Sequence, residues 1–212
     1  MKISDQPNLL SILKQKLQEP LPSKEALEMM FPRIKEMPES IPDDAKLSAV
    51  MILLFHKNEE WHFLTIRRAE DGHAHSGQIG FPGGRQEPGD TDLMETALRE
   101  TFEEIGIKQQ QINTIGSLSP VYIPVSNYQV FPYLGFVEEM NHYTLSIKEV
   151  KEVMEIPLST ILRPQSKVQA EISTNIEPHV QRTVNAYKLL DGTIIWGATA
   201  IMIAELELLL SN

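Results

Sequence analysis

Blocks of apolar and polar residues alternate along the chain and predict strands interleaved with helices. Residues 47–55 are almost wholly apolar, which predicts a strand buried on both faces of a sheet. Residues 61–67 return as a second strand after a polar turn. Further strands are predicted over 112–118, 130–137, 168–172 and 183–196, the last folding back at Asp191-Gly192. Such interleaving predicts one α/β domain with a mixed sheet between helical layers.

The first 45 residues carry a different pattern. Leucines at helical spacing, from Leu9 to Leu17, predict a short helix that ends before Pro20. A second short helix is predicted to begin at Ser23, and prolines and charges then indicate a surface connection. We therefore expect an accessory helical segment over residues 1–45, packed against the domain or a second subunit, and a catalytic domain over 46–212.

Three predictions concern the second half of the chain. Residues 119–127 contain two prolines and are expected to form a loop, a candidate wall of a substrate pocket. Pro132 lacks the amide N–H that a strand ladder uses, so it indicates an edge strand or a bulge. Residues 197–210 are predicted to close the chain with an apolar-faced helix.

The most informative stretch is a glycine-rich turn, residues 77–84, followed by a helix with an acidic face. Asp92 with Glu95 three residues later predicts a capping box at the start of this helix, and Gly106 predicts its left-handed end. At about 100° of rotation per residue, three glutamates share an arc of about 100°. They are Glu100, Glu103 and Glu104. The opposite, apolar side is formed by Met94, Leu98, Phe102 and Ile105.

The acidic face predicts a metal site. Two carboxylates about 4 Å apart repel by about 4 kcal/mol at an effective dielectric constant of about 20. Arg99 is predicted to point about 100° away from Glu100, and its spacing suits pairs with Glu95 and Glu103. A divalent cation would offset the repulsion, and ligands that are all oxygen favour Mg²⁺ or Mn²⁺ over Zn²⁺. A solvated helix face is the alternative, and the preceding Gly-Gly turn argues against it.

Composition narrows the class of protein. The 212 residues include 19 Lys and Arg against 29 Asp and Glu, a net charge of −10, which argues against a nucleic-acid-binding protein. Small anionic substrates remain compatible, because bound metal ions supply positive charge locally. Cysteine is absent, so disulfides and thiol nucleophiles are excluded. With no apolar run typical of a signal peptide or membrane span, we expect a cytoplasmic protein without membrane contact.

The turn and helix closely resemble the Nudix box, G-x5-E-x7-R-E-U-x-E-E-x-G-U. Gly84 opens the match, Arg99-Glu100 fits the R-E pair, and residues 103–107 fit E-E-x-G-U. The resemblance implies a Nudix-type α/β/α sandwich with a mixed β-sheet, and a Nudix hydrolase acting on a diphosphate linkage. It also implies a metal site for Mg²⁺ or Mn²⁺ whose ligands are Glu100, Glu103, Glu104 and the backbone carbonyl of Gly83 or Gly84.

Three departures from the box are visible. Asp90 stands where the first Glu belongs, eight residues instead of seven separate it from Arg99, and Thr101 occupies an apolar position. None of these departures changes one of the three helix glutamates, so the prediction of a metal site stands.

The general base is harder to assign. Nudix enzymes take it from the box or from a glutamate on a later loop, so Glu100, Glu149 and Glu152 are candidates. We favour Glu152, because Val150 and Val153 beside it indicate a segment held against the core. The predicted catalytic residues are therefore Glu100, Glu103, Glu104 and Glu152.

The flanking sequence resembles the coenzyme A pyrophosphatase branch, L-L-T-x-R-[SA]-x3-R-x3-G-x3-F-P-G-G. Gly77 and residues 81–84 fit this spacing without gaps, as do Leu64, Arg68 and Ala69, whereas Ile66 replaces the Thr and His73 replaces the second Arg. Residues 195–200 and the early leucine helix also resemble this branch. The resemblance implies hydrolysis of coenzyme A or its thioesters to adenosine 3′,5′-bisphosphate and a phosphopantetheine, by a homodimer.

The exchange at His73 concerns substrate binding. If that position contacts a phosphate, the loss of an Arg removes a charge-assisted bond of about 1.5–3 kcal/mol. Candidate substrate-binding residues are Arg67, Arg68, His73 and Arg85. The alternatives are a Nudix pyrophosphatase acting on another nucleoside diphosphate derivative, such as ADP-ribose, and a Nudix-fold binding module without catalysis. The complete set of helix carboxylates argues against the binding module.

Overall fold

The computed structural model describes residues 8–31, 37–38, 40–70, 75–140, 142–173 and 181–211. The helices described there are α1 (Leu9–Lys16), α2 (Ser23–Met30), α3 (Leu93–Ile105), α4 (Leu158–Ile161) and α5 (Gly197–Ser211). The strands are β1 (Lys46–Lys57), β2 (Glu60–Arg68), β3 (Ile79–Gly80), β4 (Gly83–Arg85), β5 (Asn113–Ser117), β6 (Val121–Ile123), β7 (Tyr128–Phe136), β8 (Val150–Pro157), β9 (Lys167–Ser173), β10 (Gln181–Lys188) and β11 (Ile194–Trp196). None of the helices in the described parts of the chain combines the length and the apolar character that a membrane span requires.

The large sheet is built around β1, the apolar strand that the sequence predicts to be buried on both faces. Its order is β3-β2-β1-β7-β5, with β4 paired to β1, β6 to β7 and β8 to β2. Strand β1 runs parallel to β7 and antiparallel to β2 and β4. The sheet is therefore mixed, as predicted. A smaller antiparallel sheet has the order β11-β10-β9.

Helices cover the large sheet on two faces. On one face, α3 packs over a core that includes Met51 of β1 and Leu64 of β2. On the other face, the core contains side chains of α1, α2 and α5. Leu13 of α1 and Ala26 of α2 are fully buried there, so the N-terminal helices pack against the domain within its own core. The boundary between residues 1–45 and 46–212 stays a prediction.

Helix α5 differs from the amphipathic helix that the sequence predicts. Most of its residues are buried, on all sides of the helix, because the small sheet and helix α2 cover it. Two buried glutamates in this helix have polar partners. The Tyr187 hydroxyl and the Lys167 ammonium both donate to Glu207, and the Ser119 amide donates to Glu205. These contacts fasten α5 to the small sheet and to the segment before β6.

Two other predictions in this half of the chain are wrong. The segment 119–127 is not all loop, because it contains strand β6. Pro132 lies in β7, a central strand, and the irregularity of the β5–β7 ladder falls opposite Leu134 and Gly135, not at Pro132. It sits between the stretches of β7 that pair with β6 and with β5, and its carbonyl accepts a hydrogen bond from the Leu118 amide. Pro132 therefore lacks its amide N–H in the gap between the residues of β7 that pair with β6 and those that pair with β5.

Helix α3 begins and ends as predicted. Asp92 accepts a hydrogen bond from the Glu95 amide at 2.8 Å, and Gly106 adopts a left-handed conformation with φ of 78°. The second half of the capping box is shifted by one residue, because Glu95 accepts from the Thr91 amide and not from that of Asp92. Phe102, predicted on the apolar side, is half-exposed.

Thr101 instead lies on the buried side of α3, in the position where the box has an apolar residue. Its hydroxyl donates to the Ala97 carbonyl at 2.6 Å within the helix. The departure from the box therefore leaves no unsatisfied hydroxyl at this position in the core.

The loop before α3 is fastened by the pair Asp90–Arg99. The Arg99 guanidinium donates to both oxygens of Asp90, at 2.9 and 3.0 Å, and to the Arg85 carbonyl at 3.0 Å. The Thr96 hydroxyl also donates to Asp90. Hydrogen bonds from Arg99 hold the pKa of the Asp90 carboxyl well below its usual range. An aspartate one residue further from the arginine than the box prescribes thus still reaches it.

We expect Asp90→Asn to lower the free energy of unfolding by about 1–3 kcal/mol at pH 7, because it removes a charge-assisted pair. The folded pKa of Asp90 is depressed, so its contribution is complete above the unfolded pKa of about 4 and is lost as the pH falls below it. Urea unfolding followed by tryptophan fluorescence at several pH values between 3 and 7 measures the difference between the natural protein and the variant.

The control for this experiment is Asp43→Asn, a change at an exposed aspartate in the connection before β1. We expect it to alter stability by less than about 0.5 kcal/mol. A difference between the natural protein and Asp90→Asn that stays constant over the whole pH range would contradict the assignment of a charged pair.

Candidate active site

The glycine turn brings the backbone into direct contact with the acidic helix. Strand β4 pairs with β1, opposing Gly83 to Val50 and Gly84 to Ala49. A Cβ atom at Gly83 would lie 2.3 Å from the Ala49 carbonyl oxygen, and one at Gly84 would lie 2.4 Å from the carboxyl carbon of Glu100. A side chain is therefore excluded at Gly83 by backbone atoms, whereas at Gly84 it would have to displace the Glu100 carboxylate, which rests against the Gly84 backbone.

Glu104 is the buried member of the acidic face, with 1% of its surface exposed. Its carboxylate accepts a hydrogen bond from the Gly83 amide at 2.9 Å and lies 3.6 Å from the Arg68 guanidinium. Burial raises the pKa of Glu104 to about 7, and the negative charges of Glu100 and Glu149 act in the same direction, against Arg68 and Gly83. Burial therefore disfavours the charged form of Glu104, and Arg68 and the Gly83 amide offset this only in part.

The sequence predicts that Arg99 points away from the acids, but in the structure its side chain reaches them. Its Nη1 atom donates to Glu100 and to Glu103, at 3.0 Å in each case. The pair with Glu103 was expected from the spacing, but the expected pair with Glu95 is absent, because Glu95 accepts from Thr91. A basic side chain therefore lies between two of the carboxylates and offsets part of their repulsion.

The carboxylate oxygens of the acidic face are the type of ligand atom that a hard cation prefers. The acidic face offers only oxygen ligands, and burial still raises the pKa of Glu100 in spite of Arg99. Among the described residues, however, no three His, Cys, Asp or Glu side chains are already grouped around one point as metal ligands. Glu103 turns to Arg99 and Glu104 to the Gly83 amide. Holding a cation would require these side chains to exchange present partners, and the metal role of Glu100, Glu103, Glu104 and Gly83 stays a prediction.

A turn before β8 adds a fourth glutamate to the site. The Ser146 amide donates to the Glu104 carbonyl at 3.0 Å, so the turn 146–150 is fastened to the end of α3. The Glu149 carbonyl accepts from the Ala69 amide at 2.8 Å. The Glu149 carboxylate is close enough to raise the pKa of both Glu100 and Glu104.

Glu152, the base favoured from the sequence, lies elsewhere. It stands opposite Arg67 in the β2–β8 ladder and accepts a hydrogen bond from Arg67 at 2.6 Å. Alternate strand residues share one side of a sheet, and Phe63, four residues before Arg67 in β2, packs in the core on the side away from α3. Arg67 and Glu152 are therefore directed to the face away from α3.

The predicted substrate-binding residues are not all brought together. Arg68 lies at the acidic face, whereas Arg67 is engaged with Glu152 on the other side. The Arg85 side chain is exposed at the end of β4, and its carbonyl accepts from Arg99. His73 lies outside the described residues.

The sequence did not predict the contacts of Arg99 with Glu100 or the place of Glu149 near the acidic face. Periodicity gives the direction of a Cα–Cβ bond but not the reach of a long side chain, which is why the position of Arg99 was wrong. The choice between Glu149 and Glu152 depended on where β8 begins, a boundary that apolar spacing locates poorly. The one available signal was that Glu149 directly precedes the first apolar residue of that strand.

Comparisons with known proteins give matches in both sequence and structure. The family described as NUDIX domain matches residues 45–174. The uncharacterized Nudix hydrolase NudL of Enterobacter sp. (strain 638) is 35% identical over 161 residues, covering 76% of this chain and 81% of the relative. NudL of Klebsiella pneumoniae (strain 342) is 31% identical over 178 residues, covering 84% and 90%.

A solved structure supports the fold. The MutT/nudix family protein from Enterococcus faecalis is similar with a TM-score of 0.54 and 22% identity, covering 92% of this chain and 76% of that one. This likeness confirms the predicted Nudix-type sandwich with a mixed sheet. The family match covers more than half of the chain, and the two NudL relatives cover 76% and 84% of it. The chain therefore belongs to the Nudix hydrolase family.

Proposed function

We propose that this Nudix hydrolase cleaves the diphosphate linkage of coenzyme A or its derivatives, giving adenosine 3′,5′-bisphosphate and (acyl-)4′-phosphopantetheine. The observation that carries the proposal is the direct contact between the glycine turn and the acidic helix. Glu100 rests against Gly84, and Glu104 is bonded to Gly83. The same turn ends the flanking sequence that resembles the coenzyme A pyrophosphatase branch.

In this proposal Glu100, Glu103 and Glu104 hold Mg²⁺ or Mn²⁺ together with the Gly83 carbonyl. When bound, such an ion polarises phosphoryl oxygens and lowers the pKa of a bound water. The Gly83 amide and Arg68 hold the Glu104 carboxylate in place. Arg99 holds Glu100 and Glu103 on the same side of α3. The Gly83 amide, Arg68 and Arg99 thus hold the three carboxylates close together in spite of their mutual repulsion.

Glu149 is our candidate for the general base. Its carboxylate is exposed, it belongs to a turn fastened to α3, and its charge acts on Glu100 and Glu104. An exposed carboxylate in that place can accept the proton of an attacking water. Glu152 has less support, because Arg67 engages it on the other face of the sheet. Arg68 and Arg85 are the candidate contacts for the substrate's phosphates, and Arg67 would need to leave Glu152 to join them.

A second candidate is a pyrophosphatase acting on another nucleoside diphosphate derivative, such as ADP-ribose. The observation in its favour is His73, which stands where the coenzyme A branch has an arginine. The cytoplasmic location and the homodimer expected from the sequence also stay predictions.

The test of the proposal is a substrate panel with purified protein and Mg²⁺. We expect coenzyme A to be hydrolysed with a kcat/KM at least about tenfold above those of ADP-ribose, a dinucleoside polyphosphate and a dNTP. Mass spectrometry should identify phosphopantetheine among the products, and exhaustive chelation should abolish turnover. A clear preference for one of the other substrates would replace the coenzyme A assignment.

The base assignment is tested with a matched pair of variants. Glu149→Gln should lower kcat by about a hundredfold, because it removes the proton acceptor and leaves the turn's backbone hydrogen bonds in place. Glu152→Gln should change kcat by less than about threefold, since that carboxylate faces away from α3. Both variants should unfold at the temperature of the natural protein. The reverse order of effects would restore Glu152 as the base.

A further inference from the structure

Ile147 is an apolar side chain in an unusual place. It has 87% of its surface exposed, the largest exposure among the large hydrophobic side chains of the described residues. It lies in the turn 146–150, two residues before Glu149. Single exposed apolar residues are common on protein surfaces, so exposure alone assigns no role.

The surroundings of Ile147 are more informative than its exposure. The Val150 amide donates to the Ser146 carbonyl and closes the turn, and the Ser146 amide donates to the Glu104 carbonyl and joins the turn to α3. The Thr144 amide donates to the Ile105 carbonyl just before the turn. Ile147 is therefore presented to solvent by a backbone bonded to the acidic helix, while its own side chain belongs to neither core.

The chemistry of the proposed substrate includes a group that suits this position. In coenzyme A, the carbon next to the phosphate ester is bonded to a quaternary carbon that carries a pair of methyl groups. A bulky apolar group thus lies directly beside the diphosphate. In ADP-ribose and in dinucleoside polyphosphates, the same place is taken by a hydroxylated sugar.

We propose that Ile147 contacts the dimethyl carbon of the pantoyl group and is a specificity-determining residue that favours coenzyme A over sugar and nucleoside diphosphates. The inference rests on the proposed function, because it requires the diphosphate to bind at the acidic face. It goes further by assigning a residue outside the Nudix box and outside the flanking motif. The Ile147 side chain would remove the two methyl groups from water, and this burial of apolar surface favours coenzyme A over the other substrates.

The test compares Ile147→Asn and Ile147→Val in steady-state kinetics with coenzyme A and with ADP-ribose. ADP-ribose is measured as a substrate or, where turnover is too slow, as a competitive inhibitor of coenzyme A hydrolysis. We expect Ile147→Asn to lower kcat/KM for coenzyme A by about fivefold to tenfold, mainly through KM. The constants for ADP-ribose should change by less than about twofold, and Ile147→Val should stay close to the natural protein.

The matched control is Ile41→Asn, a change at an isoleucine that is 42% exposed in the connection before β1. It should leave both ligands unaffected. Equal losses for coenzyme A and ADP-ribose in Ile147→Asn, or no loss for either, would overturn the role of Ile147 while leaving the proposed function intact. Failure of the natural protein to hydrolyse coenzyme A would overturn the proposed function, and the role of Ile147 with it.

Discussion

The structure depends on keeping several like charges together on one helix face. Glu104 is buried, and burial raises its pKa to about 7, so its charge is tolerated only with compensation from nearby groups. The Gly83 amide, Arg68 and Arg99 provide such compensation around the acidic face. The compensation is incomplete, because the pKa of Glu100 is also raised. The charged forms of Glu100 and Glu104 thus stay disfavoured, and additional positive charge beside them would favour those forms.

The remainder of the fold brings the parts of that site to one place. Strand β1 places β4 and its glycines beneath α3, and β2 carries Arg68 to the same face. The pair Asp90–Arg99 fixes the loop that joins β4 to the helix. On the opposite face, α5 joins the small sheet and the N-terminal helices into a second core that supports the sheet from behind.

Much of this arrangement is predictable because it depends on local pattern. The ends of α3 follow from Asp92 and Gly106, whose backbone requirements are set within a few residues. The buried strand β1 follows from its continuous apolar run. The acidic face follows from helical spacing alone. In each case the sequence signal and the structural feature lie in the same short segment.

The errors occur where distant segments decide the outcome. Arg99 reaches back to its acids because Asp90 and the Arg85 carbonyl hold its guanidinium, which no helical wheel represents. Pro132 is tolerated in a central strand because the adjacent strand is interrupted there. Glu149 lies near the acidic face because the turn at Ser146 bonds to α3, whereas Glu152 pairs with Arg67 in the β2–β8 ladder, on the other side of the sheet.

We propose that the carboxylates of α3 bind a hard divalent cation, a claim that Mn²⁺ titration followed by electron paramagnetic resonance can test. Free Mn²⁺ has a strong signal that weakens on binding, so the measurement needs no substrate and no turnover. We predict saturable binding that is weakened at least about tenfold in Glu103→Gln, because ligand charge sets the affinity of such sites. The matched change Glu95→Gln, in the first turn of the same helix where Glu95 accepts from Thr91, should leave the affinity unchanged. Equal affinity in all three proteins, or no saturable binding in the natural one, would contradict the claim.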